Sequence, residues 1–136
     1  VGDRFGSTTR ITSVESDSRA TAHAGENLAE WLGARAITAR VERYVAQLAA
    51  SGERLRGATV ILDPPRSGAG RPVVDALALL EPEQLVYVAC DPVALARDIG
   101  FFAERGYALA KLRAFDLFPN THHVEAVATL LKSDHR

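Results

Sequence analysis

The sequence predicts an α/β fold: a mostly parallel sheet with helices on both faces. Three observations carry this. Apolar runs of strand length alternate with runs of helical period along the chain. One run, Val60-Ile61-Leu62, stops at Asp63-Pro64-Pro65-Arg66-Ser67-Gly68. Another, Leu85-Val86-Tyr87-Val88-Ala89, stops at Cys90-Asp91-Pro92. Pro64 and Pro65 cannot donate to a sheet ladder, so the first of these strands ends at Asp63. In a parallel sheet both strand ends fall at the carboxyl edge, where open α/β sheets bind ligands. Asp63 and Cys90 are therefore expected at the same edge, on neighbouring strands.

The elements follow in order. Residues 1–9 are polar and read as a loop. Arg10 to Glu15 reads as a strand with Ile11 and Val14 as its apolar positions. Residues 18–32 read as a helix with Ala24, Leu28, Trp31 and Leu32 on one face, stopped by Gly33. Ala36 to Val41 is a weak strand. Glu42 to Ala50 is a short helix with Tyr44, Val45 and Leu48 as its apolar residues. After the strand 58–63, the double proline makes a stiff turn, and Gly68 and Gly70 loosen the chain before the next helix. Pro72 suits the first turn of that helix, Val73, Val74, Leu77 and Leu80 form its apolar face, and Pro82 ends it. After the strand 85–89, Asp91 caps a helix that starts at Pro92, buries Leu95, Ile99 and Phe102, and stops at Gly106. Tyr107 to Asp116 is a strand, Phe118 to His123 a loop, and Val124 to Leu131 a final apolar strand.

The 136 residues suffice for one domain with its own core, and no repeat, low-complexity tract or linker divides them, so residues 1–136 read as a single domain. A hydrophobic share of 47% and a charged share of 24% are those of an ordinary globular chain. A net charge of -1 argues against a strongly basic nucleic-acid module, though not against a local basic patch. One cysteine allows no internal disulfide and points to a reducing, cytoplasmic setting. No apolar run approaches the ~20 residues of a membrane span, and the polar amino end has no signal-peptide pattern.

Several groups could do chemistry. Position alone leaves two readings of Cys90 open: a nucleophile ahead of a helix N-terminus, or a small buried apolar side chain. A helix dipole contributes only about 0.3–1 kcal/mol, so a nucleophile here needs a substrate that is activated as it is attacked. Asp63 is a carboxylate aimed by a rigid tripeptide. Glu15, at the end of the first strand, either accepts from ribose hydroxyls or is an exposed turn acid. Glu125 is either an edge-exposed charge or a placed base. Adjacent histidines such as His122 and His123 rarely converge on one ion, and no acid or cysteine cluster completes a shell, so no metal is expected. Their expected role is in a loop, in contact with phosphate.

Asp63-Pro64-Pro65-Arg66, Cys90-Asp91-Pro92 and Phe118-Pro119-Asn120-Thr121-His122-His123-Val124-Glu125 stand in this order. With them the chain, from Ile11 to Leu131, resembles the catalytic domain of the uracil-5 RNA methyltransferases. The resemblance implies a Rossmann-like class I methyltransferase sheet. It implies methyl transfer from S-adenosylmethionine to carbon 5 of a uridine in transfer or ribosomal RNA. By it, Cys90 adds to carbon 6 of the uracil and Glu125 removes the carbon-5 proton. Asp63 lies between cofactor and base, Glu15 binds the cofactor ribose, and Arg66, His122 and His123 contact substrate. The uridine must be unstacked to reach such a pocket.

Two departures shape the expectation. The family's glycine-rich turn precedes the strand that ends at Glu15, and this chain begins after it. The resemblance thus implies a carboxyl-terminal part of the catalytic domain, without the first, central strand and the RNA-binding region upstream. Such a fragment is expected to bind cofactor poorly, and to self-associate or re-pair its strands through its open edges. Arg40 stands where an adenine-contacting acid or amide is expected, so that role is not carried over. Two other readings stay open. One is a truncated, inactive fragment that only folds or binds a partner. The other is an amino-group methyltransferase, which shares an acid-Pro-Pro motif but usually places an aromatic where Arg66 stands.

Overall fold

The computed structural model describes Arg4, Gly6, residues 8–116 and residues 124–134. Where the sequence reads as one domain, the chain divides into two compact units, Val1–Gln47 and Leu48–Arg136.

The first unit is a parallel β-α-β element. Strand β1 (Ile11–Glu15) pairs with β2 (Ala34–Thr38), and Glu15 lies opposite Thr38. Helix α1 (Ser18–Leu28) connects them. Asp17 caps it, accepting from the N–H groups of Arg19 at 2.8 Å and Ala20 at 3.0 Å. The helix expected to reach residue 32 ends four residues earlier, and Leu32, placed on its apolar face by the sequence, is 99% exposed. Gly33 is therefore not its stop. A Cβ there would lie 2.7 Å from the Thr9 carbonyl oxygen, and the Gly33 carbonyl accepts from the Ile11 N–H at 3.0 Å. Its small size permits the close approach of two backbone segments. The weak strand expected over 36–41 lies at Ala34–Thr38 instead. Helix α2 (Val41–Ala50) follows and buries Val45.

The second unit contains β3 (Thr59–Leu62), α3 (Arg71–Leu80), β4 (Gln84–Ala89), α4 (Pro92–Glu104), β5 (Tyr107–Phe115) and β6 (Glu125–Lys132). Its four strands stand in the order β3-β4-β6-β5. β3 and β4 are parallel, but β6 is antiparallel to both β4 and β5. The expected mostly parallel sheet is thus corrected to a mixed one. The β5–β6 connection explains it. A parallel crossover needs about a dozen residues or more, usually a helix. Residues 116–124 are too few and contain no helical pattern, so the chain must turn back.

The core of this unit lies between α3, α4 and one face of the sheet. Val73, Val74, Leu77 and Leu80 of α3 are buried, as their spacing predicts, with Leu95 and Phe102 of α4. Leu85, Tyr87 and Ala89 alternate with less buried residues on β4, as do Ala126, Ala128 and Leu130 on β6. Asp98 stands among these apolar side chains with no exposed surface at all. Among the described residues no helix is long and apolar enough to cross a membrane.

Candidate active site

β3 is only four residues long and ends at Leu62, opposite Tyr87 of β4. Asp63 follows at the carboxyl end, exposed, and Pro64 and Pro65 prevent further pairing. The Gly68 N–H donates to the Pro65 carbonyl at 2.8 Å and closes a turn. Gly68 and Gly70 both have φ of 82°, a left-handed conformation that glycine adopts without strain.

This turn is not loose, as the glycines suggest, but pinned. The Ala69 N–H donates to Asp98 Oδ2 at 2.7 Å and lies 3.2 Å from the Tyr87 hydroxyl oxygen. The Tyr87 hydroxyl in turn donates to Asp98 Oδ2 at 2.6 Å. Arg97 donates to Asp98 Oδ1 from Nε at 3.1 Å and from Nη2 at 2.8 Å. Its Nη2 also donates to the Ser67 carbonyl at 2.8 Å. A Cβ on Gly68 would meet Arg97 Nη2 and Asp98 Oδ2 at 2.6 Å each, so even alanine does not fit there unshifted. Burial pushes the Asp98 carboxyl up, but hydrogen bonds from Tyr87, Arg97 and the Ala69 N–H outweigh it and hold the group below its ordinary value. Burial, and next the hydrogen bond to Asp98, push the Tyr87 phenol well above its ordinary range. Sequence reading missed Asp98. Its only signal was an acid three residues after Leu95, on the face predicted to be buried.

Cys90 directly follows β4 and is half-buried. Asp91 caps α4 as expected, accepting from the Ala94 N–H at 2.9 Å, with Pro92 as the first helical residue. Glu125 opens β6. The last pair of the antiparallel β4–β6 ladder is Ala89 with Ala126, so Cys90, just after β4, and Glu125, the first residue of β6, both adjoin the same end of that ladder. Asp63, Cys90 and Glu125 therefore share one end of this sheet. Arg66 lies in the exposed stretch after the prolines. His122 and His123, with the rest of the loop from Phe118, lie outside the described residues.

In the other unit, Glu15 ends β1 as the sequence predicts. Its carboxylate accepts from the Asp17 N–H at 3.0 Å and the Ser16 hydroxyl at 3.2 Å. The backbone N–H groups of Asp17 and Ser16 and the Ser16 hydroxyl hold it below the ordinary value, as an ionised acceptor at a strand's carboxyl end. Arg40 is exposed and lies 3.9 Å from Glu42. Among the described residues no group of three or more His, Cys, Asp or Glu is arranged to hold a metal ion.

Comparison with known proteins bears on this arrangement. An uncharacterized RNA methyltransferase of Streptomyces avermitilis is 44% identical over 130 residues, which is 96% of this chain and 29% of the relative. The chain spans less than a third of the length of curated relatives it matches, at 29% and 28% for two from Streptomyces. The crystal structure of the Pyrococcus abyssi tRNA (uracil-54, C5)-methyltransferase, in complex with S-adenosyl-L-homocysteine, superposes with a TM-score of 0.70. That likeness has 31% identity and covers 90% of this chain and 28% of that one. The N-methyltransferase NodS of Bradyrhizobium japonicum gives a TM-score of 0.67 at 13% identity, covering 92% of this chain and 74% of that one, a likeness of fold alone. The fold is thus that of the class I methyltransferases. The family model described as tRNA (uracil-5-)-methyltransferase matches residues 37–133, a span that contains Asp63, Cys90 and Glu125, and the chain belongs to that family.

Proposed function

We propose that the protein carrying this chain methylates carbon 5 of a uridine in transfer or ribosomal RNA through a covalent adduct at Cys90. The observation that supports the proposal is the β4–β6 ladder, whose last pair, Ala89 with Ala126, adjoins both Cys90 and Glu125 at the sheet end that also bears Asp63. A thiol and a carboxylate at one sheet end suit two successive tasks. Cys90 Sγ bonds to carbon 6 of the uracil, which turns carbon 5 into an enolate-like nucleophile. After carbon 5 has been methylated, the Glu125 carboxylate takes the carbon-5 proton, and the electron pair left behind re-forms the ring double bond and expels the Cys90 thiolate. Carbon 5 of uracil is a poor nucleophile without this activation, which is why the reaction needs a covalent partner.

The residues present suit S-adenosylmethionine as methyl source. Glu15 is an ionised acceptor at a parallel strand end, the place from which such sheets bind ribose hydroxyls. When bound, the cofactor supplies an electrophilic methyl group on a sulfonium. Asp63, held at the β3 end by two prolines, is assigned between cofactor and base, and Arg66 with His122 and His123 to the RNA.

The test separates the two steps, using the full-length protein. Cys90→Ala should form neither adduct nor methylated product. Glu125→Gln should attack and become methylated but release product slowly, so a protein–RNA adduct that survives denaturing gels should accumulate. A general base typically contributes ~10²–10⁴-fold to its own step, so release should slow by about that factor. In RNA containing 5-fluorouridine, the unaltered protein should be trapped too, because fluorine does not leave as a cation. Full activity in Cys90→Ala would sink the covalent mechanism. Adduct-free, equal loss in both variants would remove Glu125 from the base role.

A further inference from the structure

The turn between Pro65 and α3 has little of its own to hold it. Its internal bond is the Gly68 N–H to the Pro65 carbonyl at 2.8 Å, and two of its residues are glycines. What orders it comes from elsewhere. Asp98, with no exposed surface, takes the Ala69 N–H and Tyr87 hydroxyl on one oxygen and Arg97 on the other. The Gly70 N–H lies 3.5 Å from the same Oδ2, at the edge of hydrogen-bonding range. Arg97 carries the contact on to the Ser67 carbonyl.

A carboxylate in this place is not what stability alone would select. Buried charges are costly even when paired, and well-packed apolar replacements are often neutral or better. Every bond that Asp98 makes outside its own helix goes either to the 67–70 turn or to Tyr87, itself against that turn. Asp98 lies on the helix capped by Asp91, the residue after Cys90, and Tyr87 lies on the strand that ends at Ala89, the residue before it. One buried carboxylate thus ties the backbone following Asp63 and Arg66 to both elements that flank Cys90.

We propose that Asp98 is a positioning residue for substrate binding, holding the turn that follows Asp63-Pro64-Pro65-Arg66 in the single conformation from which Arg66 meets RNA. The proposal rests on the assignment of Arg66 to the RNA made above, and goes beyond it by naming the group through which that contact is set. Asp98 touches no substrate. It acts through the backbone of residues 67–70. The buried charge is kept because only a carboxylate can accept the backbone N–H, the phenol and the guanidinium at once.

The test uses the full-length protein in a Cys90→Ala background, where RNA binding is measured without covalent capture. Asp98→Asn, Arg66→Ala and the double variant are compared for affinity toward a uridine-containing stem-loop RNA, and for amide hydrogen exchange across residues 66–70. Arg97→Ala is a second probe: Arg97 is 44% exposed, and its loss releases Ser67 and the Asp98 Oδ1 oxygen while leaving the Asp98 bonds to Ala69 and Tyr87. Asp98→Asn should speed exchange in the 66–70 peptide by about 10-fold or more beyond any change in the peptides of β4 and α3, and weaken RNA binding by about 10-fold. Arg97→Ala should do both to a smaller degree. In the Arg66→Ala background the Asp98 change should add little, since the contact it positions is already gone. Unchanged exchange at 66–70 in Asp98→Asn and Arg97→Ala would overturn the proposal, and so would additive losses of affinity. Arg66→Ala without effect on affinity would instead bring down the assignment of Arg66, a result distinct from either, and with it the positioning role.

Discussion

Burial alone would drive the Asp98 carboxyl toward its neutral form, and three donors reverse that preference. The sign of the consequence follows. A carboxyl whose folded-state value lies below its ordinary 3.8 stabilises the folded chain above that pH, and the contribution is lost as pH falls through the folded value. Asp98→Asn removes this acid-sensitive component. Urea denaturation should therefore show a stability difference between the two proteins that is present near neutral pH and shrinks below pH 3.8. A difference that stays constant down to about pH 2 would assign the acid sensitivity to other carboxylates. The same residue shows why Gly68 is a glycine. Its positive φ and the 2.6 Å approach of Asp98 and Arg97 leave no room for a side chain, whereas flexibility plays no part.

Among the elements, the junction of α4 and β5 illustrates how a helix end is locked to a sheet. Phe102, fully buried, meets the Tyr107 ring edge to face, with centroids 6.0 Å apart and planes at 72°. Gly106 turns the chain between them with φ of 88°. The Tyr107 hydroxyl donates to the Pro82 carbonyl at 2.7 Å, so the first residue of β5 also secures the chain after α3. Burial pushes the Tyr107 phenol up to about 12. Tyr107→Phe keeps the ring and strands the Pro82 carbonyl, at a cost of about 1–3 kcal/mol in chemical denaturation. The neutral phenol also makes a testable sign. Its stabilisation is present below the ordinary value of 10.0, is lost as pH rises from there to about 12, and should be missing in the variant. A loss within a few tenths of a kcal/mol would mean that the carbonyl finds water instead.

At the scale of the whole molecule, strand edges decide behaviour. Two sheets form, β1-β2 and β3-β4-β6-β5. β5 forms one edge of the larger sheet and exposes Leu109, Leu112 and Phe115, but Lys111 and Arg113 interrupt the apolar surface. Charged side chains on an edge discourage pairing with other chains. β3 forms the other edge, has no charged residue, and exposes 60% of Ile61. The 136-residue chain by itself is therefore expected to self-associate through β3. Light scattering should show a mass that rises with concentration, and Ile61→Lys should reduce it. A monomer at all concentrations, unaffected by the substitution, would refute this.

Much of this was decided by sequence alone, where the cause is local. Pro64 and Pro65 end β3 because they lack a donor, and Asp91 with Pro92 starts α4 because capping involves neighbours three residues away. The apolar faces of α3 and α4 follow from helical period, and the motifs built on these ends marked Asp63, Cys90 and Glu125 together. Tertiary structure alone decided the rest. β6 inserts antiparallel between β4 and β5, and that insertion, not any spacing, brings Glu125 to the ladder end that adjoins Cys90. Gly33 read as a helix stop because Thr9, which it must admit, is distant in sequence. Asp98 read as an ordinary helix residue because its partners Tyr87 and Ala69 lie 11 and 29 positions away. A local pattern specifies which groups a segment can present, but a buried charge is bearable only where distant donors converge on it, and convergence is a property of the folded chain.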